Sequence, residues 1–333
     1  MEKKEELSNK QIYTKTLVFS RVGFLIDLFS LFILLLCIYL GYLVSTNKAI
    51  GFGIGFIVGL IILGIILHYV KYIYKAGQIA MMTKGVTEGC LPENVLTSGK
   101  KEVKERFVTV SAFFAIESGI KAIFMEISNG LNAVGNMVGG ETGGEIGSTI
   151  SAFINTIVEY LCKCCLGWVF FKKDQTTFKS VCQGAVLFFK NWKALIKNLG
   201  RIFGMAILSF IVLGSLLTIG FFFLYGCFPE FLQILSTALV NVSPDFNGFE
   251  DPEFVQAIIS LLSGIIFWSI LHSEFIKPFI LVGVLRNYMK AGIESTPQEA
   301  NFEELDNISP KFKKCMKKLN QLKINIKSIR KRE

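Results

Sequence analysis

Gly23 to Ser45 and Ala49 to Val70 are two long apolar runs separated only by the polar turn Thr46-Asn47-Lys48. A hydrocarbon core of about 30 Å is crossed by about 20 helical residues, so each run is long enough to span it. Such a pair of adjacent runs leaves few options in water. Across all 333 residues the hydrophobic share is 52% and the mean hydropathy is +0.51. A water-soluble fold of this size could not hide so much apolar surface, so the expected solvent is a bilayer. The polar stretch 1–22 does not read as a signal peptide, because the run after it is too long for an h-region and lacks a small-residue cleavage site.

Four further segments fit the same length, and together they predict an all-α polytopic membrane protein with about six transmembrane helices. The expected organisation is a segment 1–22, a hairpin of spans one and two over 23–70, and a helical loop over 71–106. Spans three and four follow in 107–171 around a glycine-rich outer loop, then an interfacial amphipathic helix in 172–201. Spans five and six occupy 202–285 around an acidic outer loop, and a basic tail fills 286–333. Orientation follows from charge, since cytoplasmic loops hold the excess of Lys and Arg. Nearly all of the 35 Lys and Arg fall in the segments expected inside, whereas 226–253 has none and carries Glu230, Asp245, Glu250, Asp251 and Glu253. Both termini are therefore expected in the cytoplasm, with the protein in the cell membrane.

The loops divide by pattern. Residues 71–106 read as two short helices broken at Leu91-Pro92. In 177–199, Val181, Cys182, Ala185, Phe189 and Trp192 share one helical face bordered by lysines, which describes a helix in the inner interface plane. Gly130 to Gly147 holds too many glycines for a stable helix and is expected as a flexible outer loop, the alternative being a re-entrant segment. The tail can meet anionic lipid at the cytoplasmic face or remain solvated. No nucleic-acid partner is expected.

Chemistry of an enzymatic kind is not indicated. The eight cysteines offer no outer pair, since only Cys227 lies outside on this topology. Cys162, Cys164 and Cys165 point in different directions on a helix and make no metal cluster. No metal and no cofactor are expected.

Charges inside spans are another matter, because each costs at least ~2.5–3.5 kcal/mol facing lipid. Glu117, Lys121, Glu126, Glu159, Lys163, His272, Glu274 and Lys277 are such charges. Glu117 with Lys121, Glu159 with Lys163 and Glu274 with Lys277 stand at helical spacing, so each pair can neutralise itself along its own helix. Pro278 frees a carbonyl near Glu274 and is expected to bend the helix there. The functional reading turns Glu117, Glu159, His272 and Glu274 towards one polar path, with Phe221, Phe222 and Trp268 as faces for an organic cation.

Three stretches, Phe178-Lys-Ser-Val-Cys-Gln-Gly-Ala185, Gly220-Phe-Phe-Phe223 and Ile270-Leu-His272-Ser-Glu-Phe275, give the C-terminal half a resemblance to the choline transporter-like family. The resemblance implies a multi-span protein, termini inside, associated with choline or related amines. It points to Phe221, Phe222, Trp268 and His272 as lining residues. The expected function is a permease for a small, cationic solute, and the alternative is a membrane scaffold or assembly factor whose buried charges lock helices together.

Overall fold

The structure is a computed structural model, and it describes residues 6–107, 118–122, 125, 144–196, 199–242, 247–294, 310 and 313. These residues are helical apart from turns, and no strand occurs among them. In order the helices are α1 (Asn9–Val44), α2 (Lys48–Tyr69), α3 (Lys71–Glu88) and α4 (Val95–Arg106). After them come α5 (Gly144–Phe171), α6 (Thr177–Ile196), α7 (Leu199–Ser209) and α8 (Ser215–Gly226). The last three are α9 (Pro229–Val242), α10 (Pro252–Leu271) and α11 (Lys277–Glu294). Two π turns interrupt the later helices, Phe210–Gly214 between α7 and α8 and His272–Ile276 between α10 and α11.

Local chemistry explains the boundaries. Asn47 caps α2 by accepting from the Ile50 amide at 3.2 Å, and Asn94 caps α4 by accepting from Thr97 at 3.0 Å. Gly89, with φ of 68°, ends α3 in the left-handed region just before the expected break at Leu91-Pro92. Asp251 caps α10, and Pro252 occupies its first turn.

Four helical stretches among the described residues are long and apolar enough to cross a membrane: Asn9–Val44, Ile50–Glu88, Gly204–Gly226 and Pro252–Glu294. Their apolar windows are only 6–18% buried in protein. Leu25, Phe32, Ile61, Ile211, Leu216 and Phe223 all stand exposed, as lipid-facing side chains must.

The chain divides into two compact units. The apolar unit comprises Leu17–Lys75 and Arg201–Pro278. Its hairpin α1–α2 packs backbone to backbone, because a Cβ on Gly55 would lie 2.4 Å from the Cys37 carbonyl oxygen and one on Gly51 would lie 2.2 Å from that of Gly41. Helices α8 and α10 approach equally closely, with Gly264 directly against Thr218. Small residues permit such contact where no hydrophobic effect drives helices together.

The second unit comprises Met1–Thr16, Ala76–Gly200 and Phe279–Glu333. Trp168, Tyr288, Met81, Met82, Leu187 and Leu285 fill its core. The Tyr288 hydroxyl donates to the Gly184 carbonyl at 2.6 Å, tying α11 to α6. Arg106 at the end of α4 donates to the carbonyls of Lys172 and Gln175 and to the Ser180 hydroxyl, each at 3.0 Å. Burial pushes that guanidinium below its ordinary pKa, and Asp174 pulls the other way.

Helix α5 covers the expected fourth span, yet from Val158 to Phe170 every residue except Glu159 and Lys163 is buried in protein. The stripe expected to lie on lipid is likewise covered where it is described: Val181, Cys182 and Ala185 are at most 3% exposed. Cys165 and Tyr288 press on Gly184 beside them. Most of expected span three, and 130–143 of the glycine-rich region, lie outside the described residues. The expected acidic outer loop holds a helix, α9.

Candidate functional site

Asp27 stands alone in the apolar run Gly-Phe-Leu-Ile-Asp-Leu-Phe, and its burial needs a partner. Lys71, at the start of α3, supplies it: its ammonium lies 2.5 Å from the Asp27 carboxylate. The same ammonium is 2.8 Å from Glu274, which sits in the π turn after α10. Lys75, one turn further along α3, approaches Glu274 at 3.7 Å from a half-exposed position. Glu274 is 3% exposed and Lys71 6%. Two carboxylates and two ammonium groups therefore form one balanced network across three separate segments of the chain, buried at Lys71 and Glu274 and open to the surface at Lys75. In a low-dielectric setting such charges are tolerable only when each is met by its opposite.

Gly23 completes the fit. A Cβ there would lie 2.0 Å from Glu274 Oε2, so the carboxylate lies directly on the α1 backbone. One residue further along each segment, the rings of Phe24 and Phe275 meet at 5.7 Å.

The π turn explains why Glu274 and His272 both reach inward. The Lys277 amide donates to the His272 carbonyl, a five-residue step in place of the usual four. Pro278 has no N–H to give, so the carbonyl of Glu274 cannot receive its regular helical bond. The expected distortion near Glu274 thus takes the form of an inserted residue in the turn.

His272 belongs to a second polar group. Its Nδ1 lies 3.2 Å from the hydroxyl of Ser209, the residue before the other π turn. Trp268 Nε1 donates to that hydroxyl at 3.3 Å, and Ser209 in turn donates to the Ala206 carbonyl at 2.8 Å. A hydroxyl has one hydrogen, and it is already given to Ala206. In the Nδ1–H tautomer, His272 donates to the Ser209 oxygen and completes the group. The Trp268 ring lies tilted at 5.2 Å from the imidazole and meets Phe210 edge-on at 4.9 Å.

The other expected positions fall elsewhere. Glu159 pairs with Lys163 at 2.8 Å, as its spacing predicts, but on α5 in the second unit. Phe221 joins a set of rings with Phe267 at 5.0 Å and Tyr225 at 5.9 Å, and Tyr225 is hydrogen-bonded to Ser263 at 2.9 Å. Phe222 is 43% exposed, and its carbonyl accepts from Gln256. Glu117 lies outside the described residues. The expected partner of Glu274, Lys277 on its own helix, is replaced by Lys71 from another helix. Asp27, Lys71, Ser209 and Gly23 complete the site and are not reached by helical spacing. A lone acid in a span was the legible signal for Asp27.

Among the described residues no group of three or more His, Cys, Asp or Glu is placed to hold a metal ion. No protein family, curated protein or solved structure matches the chain.

Proposed function

We propose that this chain is a non-transporting scaffold or assembly factor of the cell membrane, with both termini cytoplasmic and its basic tail, 286–333, available to anionic lipid. The observation that carries this reading is the balanced network of Asp27, Lys71, Lys75 and Glu274, in which carboxylates and ammonium groups meet at 2.5–3.7 Å. Charges so fully spent on one another act as a lock between helices. The Lys and Arg of 71–106 and 172–201, against their absence from 226–253, support the orientation.

Substitution tests the lock. Lys71→Met leaves Asp27 without its ammonium partner and Glu274 with only the more distant, half-exposed Lys75, and should destabilise the folded protein in detergent by about 3–5 kcal/mol. The triple variant Asp27→Asn/Lys71→Met/Glu274→Gln removes the charges together and should regain most of that loss. A triple variant no more stable than Lys71→Met would refute a lock that depends only on charge balance.

A second reading rests on a different observation, the His272–Ser209–Trp268 group set between two π turns. Such turns are frequent at functional sites, and a histidine beside an indole suits a permease for a small organic cation, the reading that the choline transporter-like resemblance also implies. Saturable uptake of labelled choline or small amines into proteoliposomes, lost in His272→Ala while the protein stays folded, would favour this reading over the scaffold.

A further inference from the structure

Helix α9 is the one element of the apolar unit that the charge pattern of its segment conceals. Helical spacing sorts its residues onto three faces. Leu232 and Ser236 point inward, at 5% and 7% exposure, and the Ser236 hydroxyl donates to the Phe249 carbonyl at 2.5 Å. Glu230, Gln233, Thr237 and Asn241 form an exposed polar strip. Beside that strip the helix is apolar and uncovered: Phe231 is 47% exposed, Ile234, one turn from Glu230 and Thr237 at the border of the strip, is 71% exposed, and Phe228, just before the helix, is 55% exposed.

The surroundings name the occupant of that face. Helix α9 packs beside α2, α8 and α10, three helices of the apolar unit. It follows the end of α8 and precedes the start of α10. Near those same ends Phe223 and Leu224 on α8, Phe254 on α10 and Ile50 on α2 are exposed as well. The uncovered face of α9 thus extends the surface that the spans already turn to lipid.

We infer that α9 lies in the plane of the membrane interface, with Phe228, Phe231 and Ile234 set among the acyl chains of the leaflet at the α8–α10 end. Its polar strip lies among the headgroups, the arrangement of an interfacial amphipathic helix. The chemistry also selects the lipid. Segment 226–253 has no Lys or Arg and carries five acids, so anionic headgroups are repelled and zwitterionic or neutral ones accepted. The inference requires the spans but neither the scaffold nor the permease reading.

The test uses the full chain in phosphatidylcholine liposomes, with Cys37, Cys90, Cys227 and Cys315 changed to Ser and the cysteines buried in protein left in place. A nitrobenzoxadiazole label is placed by Phe231→Cys, Ile234→Cys, Gln233→Cys or Thr237→Cys in separate variants. Brominated lipid should quench the label at positions 231 and 234 several-fold more than at 233 and 237, and aqueous iodide should do the reverse. Replacing part of the phosphatidylcholine with phosphatidylglycerol at low salt should weaken lipid quenching at 234. Iodide quenching at 231 and 234 would place the face in water and overturn the proposal. Protection there from both quenchers would overturn it too, assigning the face to a second copy of the chain. Quenching unchanged by phosphatidylglycerol would overturn the headgroup preference. Because 231 and 234 are labelled separately, one variant that fails to fold leaves the other to decide.

Discussion

Gly23 has no side chain, and the carboxylate of Glu274 fills the space that one would take. Gly23→Ala is therefore expected to push Glu274 off Lys71 and to cost about 1.5–3 kcal/mol, the worth of a hydrogen bond to a charged group. In a Glu274→Ala background the same change should cost almost nothing. A double-mutant cycle on thermal unfolding in detergent checks this, and additive losses would show that Gly23 and Glu274 act independently. Glu274 was legible in the sequence as a charge that cannot face lipid. Its partner was not, because spacing along one helix can only nominate neighbours on that helix, and Lys277 satisfied the rule. Lys71 comes from 203 positions away (274 − 71). Asp27 shows the opposite failure: it was visible as a single acid but submerged in the hydropathy of its run. His272 and Trp268 were both legible as polar exceptions, whereas Ser209 was an unremarkable hydroxyl until the fold set it between them.

At the scale of elements, Pro278 is the residue that admits a π turn where an α-turn would otherwise run. Pro278→Ala restores an N–H, and the inserted residue then has less reason to persist. Removing one inserted residue rotates everything on one side by about 100°, the angle per residue of a helix with 3.6 residues per turn. His272 should then lose Ser209, and with it the fixed Nδ1–H tautomer. Nitrogen NMR of labelled histidine, in a His68→Gln background that leaves His272 as the single imidazole, reads this directly. The parent should show one tautomer and Pro278→Ala a mixture; a single unchanged tautomer would mean that the tertiary packing, not Pro278, holds the turn. The spans themselves were legible because length and apolarity alone define them. Helices α5 and α6 were not separable from membrane elements on that ground. A helix apolar on all sides is either lipid-exposed or wrapped in protein, and composition is the same in both cases. The burial of Trp168, Cys164 and Val169 shows protein against most of 158–170, with Glu159 and Lys163 on the open side. Helix α9 was missed for another reason, since the five acids of 226–253, of which Glu230 alone lies on the helix, dominated the reading of the segment.

At the scale of the whole molecule, the proposed orientation predicts opposite accessibility for two native thiols. Cys90 follows α3 and Cys227 follows α8, and both are exposed at the protein surface. The segment around Cys90 is rich in lysine, and the segment after Cys227 has no Lys or Arg, so the positive-inside rule assigns them to different sides. The Glu274–Lys71 network does not depend on that assignment, but the proposed contact of the basic tail with an anionic cytoplasmic leaflet does. Two variants each keep one of these thiols, with the other and Cys37 and Cys315 changed to Ser. In intact cells a membrane-impermeant maleimide should label the Cys227 variant and leave the Cys90 variant unlabelled. Permeabilisation should then expose Cys90 without increasing the signal at Cys227. The reverse pattern would turn the molecule over and place the acidic segment of α9 in the cytoplasm. Labelling of both thiols in intact cells would mean that an even number of crossings separates Cys90 from Cys227, and the even-span arrangement with both termini inside would fall with it.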